Sequence, residues 1–594
     1  MLASTMDGDA QRSAWLENLE SGWRRELRAQ RTEVEELWRT PLAERLSDGN
    51  ALRISSFRIT GNHQLLVVPV DADACRFREG DFLCLSQDHP LAPTGKFIHL
   101  GEDDDGLHLW RWWGEMPDPG SEGWVLDRDF VDLSDRYEQA TRALAETVRG
   151  REKVLPFLLG DSGGEMDGGL FTTTMDEFED EDAPRDVLWH DSQQDAIAAC
   201  VATHDGYLVQ GPPGTGKTFV LAEVVRRLVG NGERVLVTGP THRAIQHALE
   251  GCRRLLPDSV RVVKIGPAML ARGDIEHFET FADSGLIEEA DACVVGATPF
   301  ALWSSFTGLR EVEFDTVVID EASQVTVMIA VMAMLHGERW LFFGDDCQLP
   351  PVMISGSGRE AAESSIFRLL KNRGFETMLE ETWRLNEQLA AWPSATFYGG
   401  RLTCRTNRRL LLDPPPSHPV LLGGNAVGLV LSGDDRATVR SEAEAQTVVD
   451  LVRELVRGGV GPGDIGVITP FRAQAAAIRA VLRIPAETAS LHRLVTVDTV
   501  ERFQGQEREV ILVSLAAARP EWVRHLAGFL FQPERWNVAV TRARRKLIVV
   551  ASRGLLDAAE SLADGGDPGA VCFSSWHREV ARSAGITSET EGGG

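Results

Sequence analysis

Tyr207-Leu208-Val209-Gln210-Gly211-Pro212-Pro213-Gly214-Thr215-Gly216-Lys217-Thr218-Phe219-Val220-Leu221 is the stretch whose reading decides the fold. The apolar run ending at Gln210 reads as a buried strand, and Phe219 to Leu228 as the helix that follows it. Between them, glycines let backbone N–H groups turn inward around phosphate oxygens, and the helix N-terminus adds a favourable dipole. The eight residues Gly211, Pro212, Pro213, Gly214, Thr215, Gly216, Lys217 and Thr218 are therefore read as a nucleotide-binding loop. In such a loop Lys217 reaches the β/γ-phosphates and the Thr218 hydroxyl holds Mg²⁺.

Beyond the acidic segment that precedes this stretch, β-rich apolar runs alternate with helical patterns, which predicts an α/β fold with parallel sheets. Candidate strands are Val235–Thr238, Ala292–Gly296, Thr316–Ile319 and Trp340–Phe343, then Ile465–Thr469, Val495–Val497, Val510–Ser514 and Leu547–Ala551. The two series fit two lobes, 187–380 and 381–580, with a break near Leu379–Thr382. Before them, Trp15, Leu19, Trp23, Leu27, Val34, Leu37 and Trp38 recur at helical spacing, predicting one long helix over residues 1–48. The short alternating runs Ala51–Ile59, Gln64–Val70, Asp81–Ser86, Lys96–Leu100 and Leu107–Trp113 predict a small antiparallel barrel over 49–132. A second amphipathic segment, 133–159, completes a helical stalk. Residues 160–186, rich in Gly, Thr, Asp and Glu, read either as a flexible acidic linker or as a solvated acidic face. A frayed tail is expected over 581–594.

Asp320-Glu321 ends a strand-like run, which delivers two carboxylates to a strand terminus. Asp320 suits Mg²⁺, and Glu321 could orient and deprotonate an attacking water. Gln348, in Gly344-Asp345-Asp346-Cys347-Gln348-Leu349-Pro350-Pro351, can both accept and donate hydrogen bonds, as sensing a γ-phosphate requires. Arg384 and Arg542 come from the later half. A guanidinium that meets the γ-phosphate on lobe closure stabilises transition-state charge.

In this order the motifs resemble those of superfamily 1B helicases, P-loop NTPases of the Upf-like and Dna-replication-helicase-like branch. Gln193 resembles the adenine-reading glutamine; Gly211–Thr218 resembles motif I and Thr241-His242-Arg243 motif Ia. Asp320–Gln324 resembles motif II, Gly344–Pro351 motif III and Trp383-Arg384 motif IV. Thr469–Gln474 resembles the nucleic-acid-contacting segment of the second lobe, Val497–Glu507 motif V and Asn537–Arg544 motif VI. The resemblance spans roughly Leu188 to Ser552. It implies two RecA-like lobes preceded by the stalk and barrel, and an ATP- and Mg²⁺-dependent motor moving 5′→3′ along single-stranded DNA or RNA. Trp383, where most relatives carry Tyr, would stack on adenine, and Glu507 would lie near the ribose. Thr241, His242, Thr298, Pro299, Arg472 and Thr499 are candidates for phosphate or sugar contact. His242-Arg243 departs from the small polar pair common in motif Ia.

A net charge of −28 over 594 residues does not exclude a nucleic-acid partner, because binding depends on local basic grooves. The eight cysteines include no C-x-x-C pair, so zinc and iron–sulfur readings lack their ligand spacing. Neither a membrane span nor a signal sequence is legible, which leads to an expectation of a cytoplasmic protein. Trp110-Arg111-Trp112-Trp113 reads either as a base-stacking platform or as barrel core. The rival to a motor is a nucleotide-dependent clamp or remodeller without processive unwinding. A stand-alone motor core is expected, recruited by a protein partner through its barrel or acidic segment.

Overall fold

The computed structural model describes residues 2–70, 77, 80–103, 105–179, 188–267, 273–286, 292–356, 364–422, 424–483 and 491–583. The expected tail and the end of the acidic segment, 180–186, lie largely outside these residues. The chain divides into two compact units. The first is Met1–Gly163, Val225–Trp340 and Pro351–Leu370; the second is Gly164–Val224, Leu341–Pro350 and Lys371–Gly594.

In the first unit the leading helix, Leu2–Arg39, is shorter than the sequence predicts, and a separate helix runs Leu42–Ser47. The reason is Pro41, which lacks an N–H and restricts the residue before it. The long helix packs on the helix Ser134–Glu146: Trp23 stacks on Tyr137 at 5.4 Å, and its indole donates to Thr141 Oγ1 at 3.2 Å. Side by side, these two helices make a stalk.

The barrel is closed and antiparallel. Its strands are β1 (Ala51–Ile59), β2 (Gln64–Pro69), β3 (Phe82–Ser86), β4 (Gly95–Asp103), β5 (Gly106–Gly114) and β6 (Val125–Arg128), in the order β1-β2-β5-β4-β3-β6. Sequence periodicity finds the first five; β6, only four residues long, closes the ring by pairing with both β1 and β3. Leu52, Leu65, Val67, Leu83, Leu85, Phe97, Leu107, Leu109, Trp124 and Leu126 fill the interior. The run Trp110–Trp113 is not in that core. On β5 the inward positions are Leu107 and Leu109, so Trp110 and Trp112 are only partly buried and Trp113 is 52% exposed. Arg45, 3% exposed, ties the barrel to the short helix through Asp127 (2.9 Å) and Asp88 (2.7 Å).

A parallel sheet follows, built from β7 (Gly206–Gln210), β8 (Arg234–Thr238), β9 (Arg261–Ile265), β10 (Glu276–Phe278), β11 (Cys293–Gly296), β12 (Phe314–Ile319), β13 (Gly337–Gly344) and β14 (Glu376–Met378). The first unit holds the order β10-β9-β11-β8-β12 and the start of β13; the second holds the end of β13 with β7 and β14. The described pairings, β8 with β11 and β12 among them, are parallel, so the central strands β8, β11 and β12 are largely buried on both faces and are rich in Val, Leu and Ile.

The second unit adds a two-stranded ribbon, β15 (Glu381–Thr382) and β16 (Thr403–Cys404), and a five-stranded parallel sheet. That sheet has the order β17-β21-β20-β18-β19, with β17 Val427–Ser432, β18 Ile465–Thr469, β19 Thr496–Thr499, β20 Arg508–Ser514 and β21 Ala543–Ser552. Two apolar clusters cover it, one built around Trp536, Phe573 and Trp576, the other around Val448, Val452 and Ile478.

Of the two readings of the acidic segment the linker fails for Gly168–Glu179, which is an α-helix with Asp176 and Glu177 exposed on a solvated face. Its acidic residues mask an apolar spacing of Phe171, Met175 and Phe178, and Phe178 meets Trp189 edge-on at 6.1 Å. Among the described residues no helix is long and apolar enough to cross a membrane, and seven cysteines are free thiols.

Candidate active site

The phosphate loop sits where β7 gives way to the helix Lys217–Gly230. Gly211 N–H donates to Gly344 O at 2.8 Å, which joins the loop to the end of β13. A side chain at 211 would stand 2.7 Å from Lys217 Cβ, so the glycine leaves room for the lysine stem to fold across the loop. Thr215 Oγ1 donates to Pro212 O at 2.8 Å and holds the turn shut. Lys217 and Thr218, half-buried, open the helix, which begins two residues before the Phe219 start read from the sequence.

Gln193 braces this loop from behind. It belongs to the helix Asp191–Ala202, where its Oε1 accepts from His190 N–H (3.0 Å) in a capping box. Its Nε2 donates to Thr215 O at 3.0 Å. The amide keeps one N–H and one lone pair for a base edge, since each end of a glutamine amide has two hydrogen-bonding positions.

The segment Thr382-Trp383-Arg384 lies directly against the loop. Trp383 N–H donates to Gly214 O at 2.9 Å, and Thr382 Oγ1 donates to Pro213 O at 2.7 Å. Gly214 has φ +76°, and a Cβ there would fall 2.3 Å from Arg384 Cβ. Only glycine allows both that backbone conformation and that approach. The Trp383 ring is 45% exposed, with the Arg405 guanidinium 5.7 Å from its centroid. An exposed indole beside a phosphate loop is available for stacking on a base.

The arginines expected at the γ-phosphate have protein partners. Arg384 pairs through Nε with Glu507, and its Nη1 donates to Thr541 O at 3.3 Å. Arg544 takes the other Glu507 oxygen. Burial works to raise the Glu507 pKa, but the guanidiniums of Arg384 and Arg544 outweigh it and hold the carboxyl below its ordinary range. The residue expected at the ribose is thus ion-paired with one expected at the phosphate. Arg542, 2% exposed, donates through Nη2 to Gln348 Oε1 at 2.8 Å and through Nε to Val538 O at 2.9 Å. Gln348 in turn donates to Asp345 Oδ2 at 2.8 Å. Phosphate loop, Gln193, Gln348, Trp383, Arg384, Glu507 and Arg542 all belong to the second unit.

Asp320 and Glu321 belong to the first unit, at the end of β12. Asp320 is 2% exposed, and its Oδ1 accepts from Glu321 N–H at 2.9 Å. Glu321 has φ +52°, a left-handed conformation that is uncommon outside glycine and costs on the order of 1 kcal/mol. That turn separates the two carboxylates: Asp320 stays buried, while Glu321 is half-exposed and accepts from Gln324 Nε2 at 3.1 Å.

Of the nucleic-acid candidates, Thr241 and Thr298 cap helices, accepting from Ala244 N–H (3.1 Å) and Ala301 N–H (3.2 Å). Pro299 is buried in the first turn after Thr298, where its missing N–H costs nothing. His242 packs beside Lys264, and burial, with that charge, lowers its pKa to about 4, so the ring is neutral at pH 7. Arg472 opens the helix Arg472–Arg483 and is half-buried. Thr499, the last residue of β19 and the N-cap of the short helix Val500–Phe503, is buried at 4% exposure.

Sequence reasoning assigned no role to Tyr398, which is buried and donates to Asp345 Oδ2 at 2.8 Å, nor to Arg405. Tyr398 follows Phe397 in an apolar helix end, and nothing there signals a polar partner 53 residues away.

Two family models, each described as an AAA domain, match residues 362–554 and, as two overlapping segments, 189–294 and 270–356. A DNA replication ATP-dependent helicase/nuclease of Arabidopsis thaliana is 27% identical over 393 residues, 62% of this chain and 28% of the relative. Its namesake in Saccharomyces cerevisiae is 25% identical, over 63% of this chain and 26% of that protein. A regulator of nonsense transcripts 1 homolog of Drosophila melanogaster is 29% identical, over 59% and 33%. The chain therefore spans about a third or less of the length of these three relatives. An arterivirus nonstructural protein 10 helicase aligns over 86% of this chain and 80% of its own, at 14% identity and a TM-score of 0.38. With the ordered motifs, the two AAA-domain matches and the sequence relatives, the chain belongs to the superfamily 1 helicases of the Upf-like and Dna-replication-helicase type.

Proposed function

We propose that this protein is a nucleic-acid-dependent ATPase that moves 5′→3′ along single-stranded DNA or RNA. The observation that carries the reading is the junction at Gly214, where the phosphate loop and the Trp383-Arg384 segment are built to touch, with Arg542 held on Gln348 in the same unit. In this reading Lys217 binds the β/γ-phosphates, and Gln348, Arg384 and Arg542 meet the γ-phosphate. Glu321 serves as the base, while Gln193, Trp383 and Glu507 hold the nucleoside. Mg²⁺ suits the hard oxygen donors of Thr218 and the buried Asp320, and it would neutralise phosphate charge. Thr241, His242, Thr298, Pro299, Arg472 and Thr499 are assigned to the nucleic-acid strand's path.

The relatives' names support both nucleic acids: one set acts in DNA replication, the other is named for nonsense transcripts. A cytoplasmic location, and a protein partner at the barrel or acidic segment, belong to the same proposal. The test is ATPase rate with and without matched DNA and RNA oligonucleotides, in wild type and Lys217→Ala, followed by strand displacement on 5′- and 3′-tailed duplexes. Stimulation that Lys217→Ala abolishes, with displacement only from a 5′ tail, is expected. Stimulation without displacement turns the reading to a clamp; displacement only from a 3′ tail overturns the polarity.

A further inference from the structure

Behind Arg542 and Gln348 lies a buried polar relay whose middle member, Tyr398, is not part of any motif assigned above. Asp345, at the end of β13, uses both oxygens fully. Oδ1 accepts from Gln210 Nε2 (3.1 Å) and Cys347 N–H (3.2 Å); Oδ2 accepts from Gln348 Nε2 (2.8 Å) and the Tyr398 hydroxyl (2.8 Å). Tyr398, 2% exposed, accepts in turn from Asn537 Nδ2 at 2.9 Å, and that same amide donates to Cys347 O at 2.8 Å. Asn537 is fully buried and begins the turn that ends in Arg542. Asn537 and Arg542 therefore hold the Asp345–Gln348 turn from two points, one through Tyr398 and one through Gln348.

The relay has a single direction. A carboxylate only accepts, so the Gln348 amide must turn its NH₂ toward Asp345 and its oxygen toward Arg542. The Tyr398 hydroxyl has one proton, committed to Asp345, which leaves its lone pairs for Asn537. In a buried, low-dielectric interior each such bond strengthens its neighbours, and an unmade one is costly.

We propose that Tyr398 is a positioning residue for ATP hydrolysis: through Asp345 and Asn537 it fixes the Gln348 amide and the Arg542 guanidinium in register for the γ-phosphate. The inference rests on the ATPase reading given above. Its test is Tyr398→Phe, which removes one oxygen and keeps the ring. Nucleic-acid-stimulated kcat should fall about ten-fold or more, while the ATP KM and the Kd of a fluorescent ATP analogue stay within about two-fold. Because Tyr398 acts through Gln348, the double variant Tyr398→Phe/Gln348→Ala should be no slower than Gln348→Ala alone. A kcat near wild type, a loss confined to KM, or multiplying effects in the double variant would overturn the proposal. Should Tyr398→Phe fail to fold, Asn537→Ala breaks the relay from its other end and must show the same split between kcat and KM, or the proposal falls. Lys217→Ala separates the two readings. If that variant hydrolyses ATP at the wild-type rate, the nucleotide site itself is misassigned and the inference goes with it. If it is inactive while Tyr398→Phe is fast, only the positioning role is lost.

Discussion

Glu444 permits a prediction worked from its surroundings. It lies in the first turn of the helix Glu442–Arg457, fully buried at the C-terminal edge of the second lobe's sheet. It accepts from Ser514 Oγ (2.8 Å), Ala516 N–H (2.9 Å) and Ser432 Oγ (3.3 Å). Burial nevertheless dominates these donors and pushes the carboxyl from its ordinary 4.5 up to about 7. A folded-state pKa above the unfolded one stabilises the fold at low pH, and that contribution is lost as pH rises from 4.5 through about 7. At 1.36 kcal/mol per tenfold in proton affinity, the loss amounts to roughly 3 kcal/mol above pH 7. Glu444→Gln is isosteric and cannot charge: its oxygen serves Ser514 and Ala516, and its NH₂ can donate to Ser432. Melting scans from pH 4.5 to 8.5 should therefore show the two proteins close at the acid end. At the alkaline end the variant's second lobe should melt roughly 6–12 °C higher, at about 2–4 °C per kcal/mol for a lobe of this size. A Tm difference that does not change with pH, or that favours wild type at pH 8, would refute the reasoning.

Four further outcomes are expected. Gly214→Ala places a methyl 2.3 Å from Arg384 Cβ at φ +76°, and should weaken binding of a fluorescent ATP analogue about ten-fold or more; unchanged affinity would mean the loop does not need that approach. Glu321→Gln should retain that binding and lose turnover, so normal hydrolysis by the variant would remove Glu321 as base. Arg542→Ala should lower kcat about 100-fold or more with a smaller change in nucleotide Kd, as measured in steady-state ATPase assays. Arg45→Ala leaves Asp127, itself raised to about 6 by burial, without its cation; the barrel should lose roughly 3–5 kcal/mol, visible as an early melting transition absent from wild type.

The parts of this fold legible in the sequence are those governed by local pattern. Ile465–Thr469 and Ala51–Ile59 form strands with the boundaries their periodicity predicts, because alternation or continuous β-branching is a property of the segment itself. β6 escaped, since four residues carry too short a pattern and pair only because β1 and β3 bring their edges to them. The helix Gly168–Glu179 escaped for the opposite reason: its charge suggested solvent, while Phe178 finds Trp189, itself stacked on Phe219 at 4.6 Å. The site divides in the same way. The motifs order Gly211–Thr218, Gln348, Arg384 and Arg542 along the chain, and the phosphate loop can be read directly. Which guanidinium rests on which acceptor cannot be. Arg384 and Glu507 are 123 positions apart, Arg542 and Gln348 194, and no local rule relates them.

Those pairings bear on how such a site can fire without leaking energy. A buried guanidinium left without an acceptor costs several kcal/mol, and one left in water must shed its hydration before meeting a phosphate. Here both arginines already rest on acceptors matched to their geometry, Arg384 on a carboxylate and Arg542 on an amide oxygen. A γ-phosphate arriving at the proposed nucleotide site would exchange one acceptor for another and would not create a contact from nothing. The free energy of that exchange is a small difference between two charge-assisted interactions, which makes it readily reversible after hydrolysis. A neutral amide is the weaker competitor, so Arg542 is the guanidinium that a phosphate would win first. The Glu507 carboxylate, held by two arginines, yields Arg384 only against a full negative charge.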